Sequence, residues 1–262
     1  MKTATKKAIE NKLGLKTFGN MVMIDDVLYP VPLVQGNDKL GNVVWHSSTL
    51  PTNKTITAYN PKTNEQVSEC GTCPTTCEGG YCQTGHYNQN RNKYLLIMRT
   101  KLLRNYPDIY FQLVRIQLEH ENIERLRIHA TGDFLEHEKS GYIEMLPEFP
   151  ELKSWTYTKC EYNETMEQLD NIPNMNIVKS IIKGHGYNYG HIAYIAALYY
   201  ALKRAGKSVH ICECGINPEQ HCSDCDGCSN HEYVLFVEHG TGYNPKTDYG
   251  YDKFVQLVNN QE

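Results

Sequence analysis

No apolar run in this 262-residue chain is long enough to cross a bilayer: the longest, Ile192 to Leu202, falls well short of the ~20 residues a membrane helix needs. The opening MKTATKKAIENKLGLK carries lysines with no apolar block behind them, so it lacks the plan of a secretory signal peptide. Low-complexity segments and obvious linkers are absent. So is a basic excess: 26 Lys and Arg stand against 30 Asp and Glu, a formal net charge of −4, which speaks against a chain that coats nucleic acid by neutralising phosphates. These absences predict a cytoplasmic protein with no membrane segment, and 40% apolar with 21% charged residues fits one α/β domain over residues 1–262. A reducing compartment makes disulfides poor candidates, so the ten cysteines read as metal ligands or redox groups.

From the middle of the chain onward, β-rich runs alternate with helical patterns. The predicted strands are Leu126–Ala130, Ser154–Thr158, Asn176–Ile182, Ser208–Cys212 and Tyr233–Val237, with Val43–Trp45 and Thr55–Tyr59 before them. Tyr94, Ile97, Met98 and Leu102 recur at helical spacing, as do Ile109, Leu113 and Ile116, with Pro107 between the two helices. Residues 191–205 form a third helical stretch, capped by Gly206, whose tyrosines read as core and boundary packing. The alternation predicts parallel βα repeats and a partial or complete TIM-like barrel with cysteine-rich metal-binding loops.

The cysteines fall into two groups. Cys70, Cys73, Cys77 and Cys82 follow C-x2-C-x3-C-x4-C, and Cys222, Cys225 and Cys228 follow C-x2-C-x2-C, with Cys212 and Cys214 upstream. Two four-thiolate centres result, one in the loop 70–82 and one in the segment 212–228, with Cys212 preferred over Cys214 as the fourth ligand of the second. Structural zinc usually takes two separated C-x2-C knuckles, whereas three cysteines at successive x2 steps can wrap three corners of a cubane. Two [4Fe-4S] clusters are therefore the preferred reading, with zinc as the alternative. His86, His210, His221 and His231 lie close enough in sequence to replace a thiolate, and Cys160 reads as a small filler. Acidic neighbours Glu213, Asp224, Asp226 and Glu232 would lower the second centre's potential.

The first group resembles the cluster loop of radical S-adenosylmethionine (radical SAM) enzymes, with C-x3-C at Cys73 and Cys77 and an aromatic, Tyr81, before Cys82, but with two extra residues. That resemblance implies three cysteines on a cubane, one iron open to S-adenosylmethionine, and a glycine-rich acidic turn near the cofactor's amino group. Thr131-Gly132-Asp133 stands in that place, with Tyr157 and Lys159 as further cofactor-cleft candidates; a plain strand-to-helix turn is the other reading of Gly132 and Asp133. A fourth thiolate from Cys70 would close the open iron, and four protein ligands are the preferred reading.

Over roughly residues 30 to 240 the order of motifs resembles the phage "gene product 88" family: Asn37-Asp-Lys-Leu40, Ser48-Thr-Leu-Pro51, Arg127-Ile-His-Ala-Thr-Gly-Asp-Phe134, Trp155-Thr-Tyr-Thr-Lys159, Val178-Lys-Ser180, and the closing cysteines before Val234-Leu-Phe-Val-Glu-His239. The resemblance implies a protein of phages and other mobile elements, working in the host cytoplasm, of iron–sulfur character and with no assigned reaction. The family's Cys-Tyr-Ala is replaced here by Cys82-Gln-Thr. Two function classes result: a two-cluster redox or radical SAM-like enzyme on an unknown substrate, or a zinc-stabilised binding module in phage replication or host takeover. Nucleic-acid binding along Arg91, Lys101 and Arg104 is a third and less favoured reading.

Overall fold

A computed structural model describes residues 1–36, 43–74, 88–179, 189–190, 192–212, 222 and 225–237. The chain opens with helix α1 (Thr3–Leu13) and an antiparallel meander of β1 (Thr17–Phe18), β2 (Met21–Ile24) and β3 (Val27–Pro30). Short strands β4 (Val34–Gln35) and β5 (Val44–His46) lead to the hairpin β6 (Thr55–Tyr59) and β7 (Gln66–Cys70). Next come α2 (Asn90–Asn105), α3 (Pro107–Glu121), β8 (Arg125–Ile128), α4 (Glu136–Met145), β9 (Lys153–Thr158), α5 (Glu164–Asp170) and β10 (Met175–Lys179). The C-terminal part adds β11 (Tyr189–Gly190), α6 (Ile192–Arg204), β12 (Val209–Cys212), α7 (Gly227–Asn230) and β13 (Tyr233–Val237).

Strands β5, β8, β9 and β10 pair in parallel in that spatial order, and β4 adds an antiparallel edge beside β5. Successive parallel strands step one way across the sheet, so right-handed crossovers place their helices on one face. Alternation then divides the side chains. Leu126, Ile128, Met175 and Ile177 join Ile97, Leu102, Leu113, Tyr142 and Met166 from the helices in one buried apolar core. Arg125, Arg127, Trp155, Tyr157, Asn176 and Val178 occupy the other face, as their register requires. Pro107 opens α3, where its fixed φ and missing N–H are both tolerated.

A second parallel sheet, ordered β11-β13-β12, turns Val209, Ile211 and Leu235 toward Ile195 of α6. Gly206, at φ +71°, ends α6 in the left-handed conformation, with the Lys207 amide bonded back to the Leu202 carbonyl at 2.9 Å. Tyr199 packs at the margin of this small core, as expected from its place on an amphipathic helix.

One expectation requires correction. The parallel repeats do not close into a TIM-like barrel among the described residues; they form a five-stranded and a three-stranded sheet that are hydrogen-bonded separately. Of the two N-terminal strand candidates, at least one of which is expected in the sheet, Thr55–Tyr59 forms a strand outside it. It pairs antiparallel with Gln66–Cys70 across a turn in which Asn60 Oδ1 accepts the Lys62 amide at 2.9 Å, and that local hairpin satisfies its edge without the larger sheet. Val43–Trp45, in contrast, marks β5, a full member of the parallel array. The predicted strand Asn176–Ile182 is described only as far as Lys179, with residues 180–182 outside the described residues.

Candidate metal centre

The C-terminal cysteine segment lies against the polar face of the five-stranded sheet. One terminal nitrogen of Arg125, Nη1, donates to the Cys222 and Cys225 carbonyls at 3.0 Å each, and the other, Nη2, pairs with Asp226 at 2.8 Å. Lys153 meets the second oxygen of the same carboxylate at 3.0 Å. Asn176 donates to the Cys228 carbonyl at 2.8 Å and to the His231 carbonyl at 2.9 Å. Among these acceptors the Cys228 carbonyl belongs to α7, which at four residues is too short to give it a helical partner.

On the far side stands the second sheet. Alternation in β12 and β13 points His210, Cys212, Val234 and Phe236 away from α6. Cys212 and Val234 join Val178 in a buried apolar cluster against which Tyr157, Cys222, Cys228 and Phe236 pack. Thus Cys212, Cys222 and Cys228 arrive from different stretches of chain at one apolar site between two parallel sheets. The Tyr157 hydroxyl donates to Cys228 Sγ at 2.8 Å, and Arg127 lies over the Tyr157 ring at 5.1 Å from its centre. Burial, and then the neighbouring Cys212, push the Cys228 thiol up to about 12 against the opposing effects of Tyr157 and Arg127. Burial likewise holds the Tyr157 phenol well above its ordinary value. A bound cation would compensate the cost of the thiolate form here and displace the proton.

Cys225 lies beside His210, which shares a face of β12 with Cys212. Its Sγ is 3.5 Å from His210 Nε2 and accepts the Gly227 amide at 3.4 Å. A Cβ on Gly227 would overlap the His210 ring, so glycine permits this approach. His231 stands 5.3 Å from His210, centre to centre, with Nδ1 at 3.1 Å from the Gly227 carbonyl. Among the described residues no three His, Cys, Asp or Glu side chains are arranged to hold a metal ion. Cys214, His221, Glu213 and Asp224 lie outside the described residues.

The start of the first cysteine segment sits beyond the C-terminal ends of β5 and β8. Arg104 of α2 pairs with Glu69 and donates to the Cys70 and Gly71 carbonyls at 2.8 and 2.9 Å. The Cys70 thiol donates to the Asn53 carbonyl at 3.5 Å, and the Cys73 amide to the Thr52 carbonyl at 3.1 Å. Between them Thr72 Oγ1 meets Thr49 Oγ1 at 2.9 Å and accepts the Asp133 amide at 2.9 Å. Gly132, at φ +86°, closes this contact, because a Cβ there would overlap both threonine hydroxyls. The cysteine segment therefore begins directly on the Thr131-Gly132-Asp133 turn. Cys77, Cys82 and His86 lie outside the described residues.

That turn is buried and heavily bonded. Thr131 donates to the Thr49 carbonyl at 2.8 Å. The Asp133 carboxylate accepts from the Thr158 hydroxyl at 2.7 Å, the Lys159 amide at 2.8 Å, the Phe134 amide at 2.9 Å and the Cys160 thiol at 3.3 Å. It thus ties the end of β8 to the end of β9. His129, with a left-handed φ of +57°, sets its Nε2 3.1 Å from Glu138 Oε1, an ion-pair contact off the line of a good hydrogen bond. Burial lowers its pKa, but Glu138 and Asp133 outweigh burial and leave it raised.

The cofactor-cleft candidates are accordingly divided. Thr131, Gly132, Asp133 and the Lys159 backbone form the rim, whereas Tyr157 serves the C-terminal cysteines. Arg104, one of three cations considered for nucleic acid, is committed to Glu69 and the cysteine segment. Arg125, Lys153 and Asn176 escaped the sequence reading. Their signal was present: a parallel strand covered on both faces is normally apolar throughout, yet β8 reads Arg-Leu-Arg-Ile.

Fold and site together define an α/β protein whose one-sidedly wound parallel sheet presents a polar face to a cysteine-bearing segment. The gene product 88 family model matches residues 31–231, and the chain belongs to that phage family. No curated protein and no solved structure matches it. Among the described residues no helix is long and apolar enough to cross a membrane.

Proposed function

We propose that the protein is an iron–sulfur protein with two cysteine centres, working as a redox or radical SAM-like enzyme on a substrate not yet identified. The observation that carries this reading is the meeting of Cys212, Cys222 and Cys228 in one apolar cluster, with the Tyr157 hydroxyl on Cys228 Sγ. Protonated thiols gain little from such convergence, whereas thiolates on a metal need it. The first centre would comprise Cys70, Cys73, Cys77 and Cys82. Its nearness to Thr131-Gly132-Asp133 supports a role for S-adenosylmethionine only if Cys70 leaves an iron open. In that case the bound cofactor would supply radical chemistry, and this chain's rim residues would orient it.

Zinc has a specific observation in its favour: His210 beside Cys225 offers the mixed nitrogen and sulfur donor set of structural zinc. In that reading the protein is a zinc-stabilised binding module. Anaerobic purification separates the two, since broad visible absorbance with iron and sulfide supports the enzyme, and colourless protein with stoichiometric zinc supports the module. Adding S-adenosylmethionine and reductant to wild type and Cys70→Ala then examines the open iron: 5′-deoxyadenosine from wild type assigns radical chemistry, and none from either protein removes it.

A further inference from the structure

Arg99 is a cation in the interior of α2. It is only 9% exposed, and Nε donates to the Val31 carbonyl at 3.2 Å, its one hydrogen bond among the described residues. No carboxylate pairs with it there. Burial lowers its pKa only to about 10, so it stays charged at neutral pH. An uncompensated buried charge is costly, and proteins rarely retain one that serves no ligand or partner.

Its surroundings point to what it serves. The neighbouring Thr100 accepts the Leu50 amide at 2.8 Å and so fastens α2 to the segment Ser47–Leu50, which runs off the end of β5. There His46 Nδ1 and Ser48 Oγ are 3.1 Å apart. In register beside His46 on β8 is Arg127, so a second guanidinium flanks the same rim. His46 is pushed down to about 4 by burial, then by the charges of Arg127 and Arg99, and is a neutral hydrogen-bonding group at pH 7. The buried carboxylates nearby are directed elsewhere, Asp133 to Thr158 and Glu138 to His129.

We propose that the C-terminal rim of β5 and β8 is a binding site for the oxyanion of a small ligand, a phosphate or carboxylate group, held by Arg99 with Ser48 and His46 and flanked by Arg127. Guanidinium and hydroxyl donors match such a group, and the C-terminal ends of parallel strands are where α/β sheets place ligands. Thr49, next to Ser48, touches Thr72 at the start of the first cysteine segment, so a ligand anchored here lies beside that segment. The site stands whether or not the cysteines bind metal.

Thermal unfolding of the full chain at fixed ionic strength tests it, with inorganic phosphate or acetate replacing chloride. Wild type should show a saturable rise of about 5 °C at an anion concentration roughly 100-fold above the half-point. Arg99→Met should be at least as stable as wild type in chloride, because it removes a buried charge that no carboxylate among the described residues compensates, and should give no anion response. A purely structural arginine predicts the opposite sign in chloride. The stronger of the phosphate and acetate responses identifies the ligand group. The proposal is overturned if wild type responds to neither anion, or if Arg99→Met responds as wild type does. Should Arg99→Met not fold, Ser48→Ala is read instead: a half-point raised about 5- to 10-fold supports the site, and an unchanged one overturns it.

Discussion

The two cysteine segments are held in opposite ways. At the N-terminal segment the described contacts act mainly on the backbone, with Arg104 on the Cys70 and Gly71 carbonyls and Thr52 on the Cys73 amide. At the C-terminal segment the sheet grips the backbone through Arg125 and Asn176 while thiols turn into an apolar cluster between two sheets. The first is anchored at its root on a strand rim; the second lies between two sheets, with Cys222, Cys225 and Cys228 part-buried. The rim anchor is made of hydrogen bonds to backbone groups, whereas the second segment adds apolar packing of its thiols.

Breaking the rim anchor should have the largest effect. Gly132→Ala adds a methyl group where Thr49 and Thr72 already stand, at a positive φ. Displacing the turn should cost about 3 kcal/mol in urea unfolding and release the first segment to proteolysis. Metal bound by the C-terminal segment under the proposed reading should be retained. Arg125→Ala is the converse, since it strips three contacts from the second segment and leaves Asp226 with Lys153 alone. A loss of about 2 kcal/mol is expected, and under the proposed metal reading the content of the second centre alone should fall. Equal loss at both centres would show that the segments are one cooperative unit.

Tyr157→Phe is a finer probe. It removes the hydrogen bond to Cys228 Sγ and retains the ring packing on Phe236, so about 1 kcal/mol and a shifted metal-centre spectrum are expected. The smallest effect concerns pH at the rim. His129 has a raised folded pKa, so its contribution to stability is fully present below its ordinary 6.5 and is lost as pH rises through the folded value. Stability measured from pH 6 to 9 should therefore decline by a component that Glu138→Gln abolishes. A component that persists in Glu138→Gln would assign the decline to another group.

Much of this could be read before folding was considered. Tyr233–Val237 is found as predicted, and Ser154–Thr158 within one residue, because β-branched and aromatic runs between polar breaks have few other uses. Tyr94, Ile97, Met98 and Leu102 form one buried stripe of α2, as helical periodicity demands. The hairpin partner Gln66–Cys70 was not legible, since its alternation is weak and its pairing depends on the turn at Asn60. Barrel closure was overread for a related reason: the βα rhythm fixes a parallel array, whereas closure depends on pairing between distant strand edges.

What the sequence by itself determined is the cysteine grouping, the parallel βα order and the family, all of which are carried by spacing along the chain. What only the tertiary structure decided is partnership across the chain. Asp133 is a tie between strand ends, Tyr157 serves a thiol on another segment, and Arg125 docks carbonyls about 100 residues away. Local pattern reports which face a side chain takes, because the backbone repeat is local. It carries no record of what covers that face, because the covering group arrives through long-range packing, and only the folded chain brings a guanidinium and its carbonyl within reach.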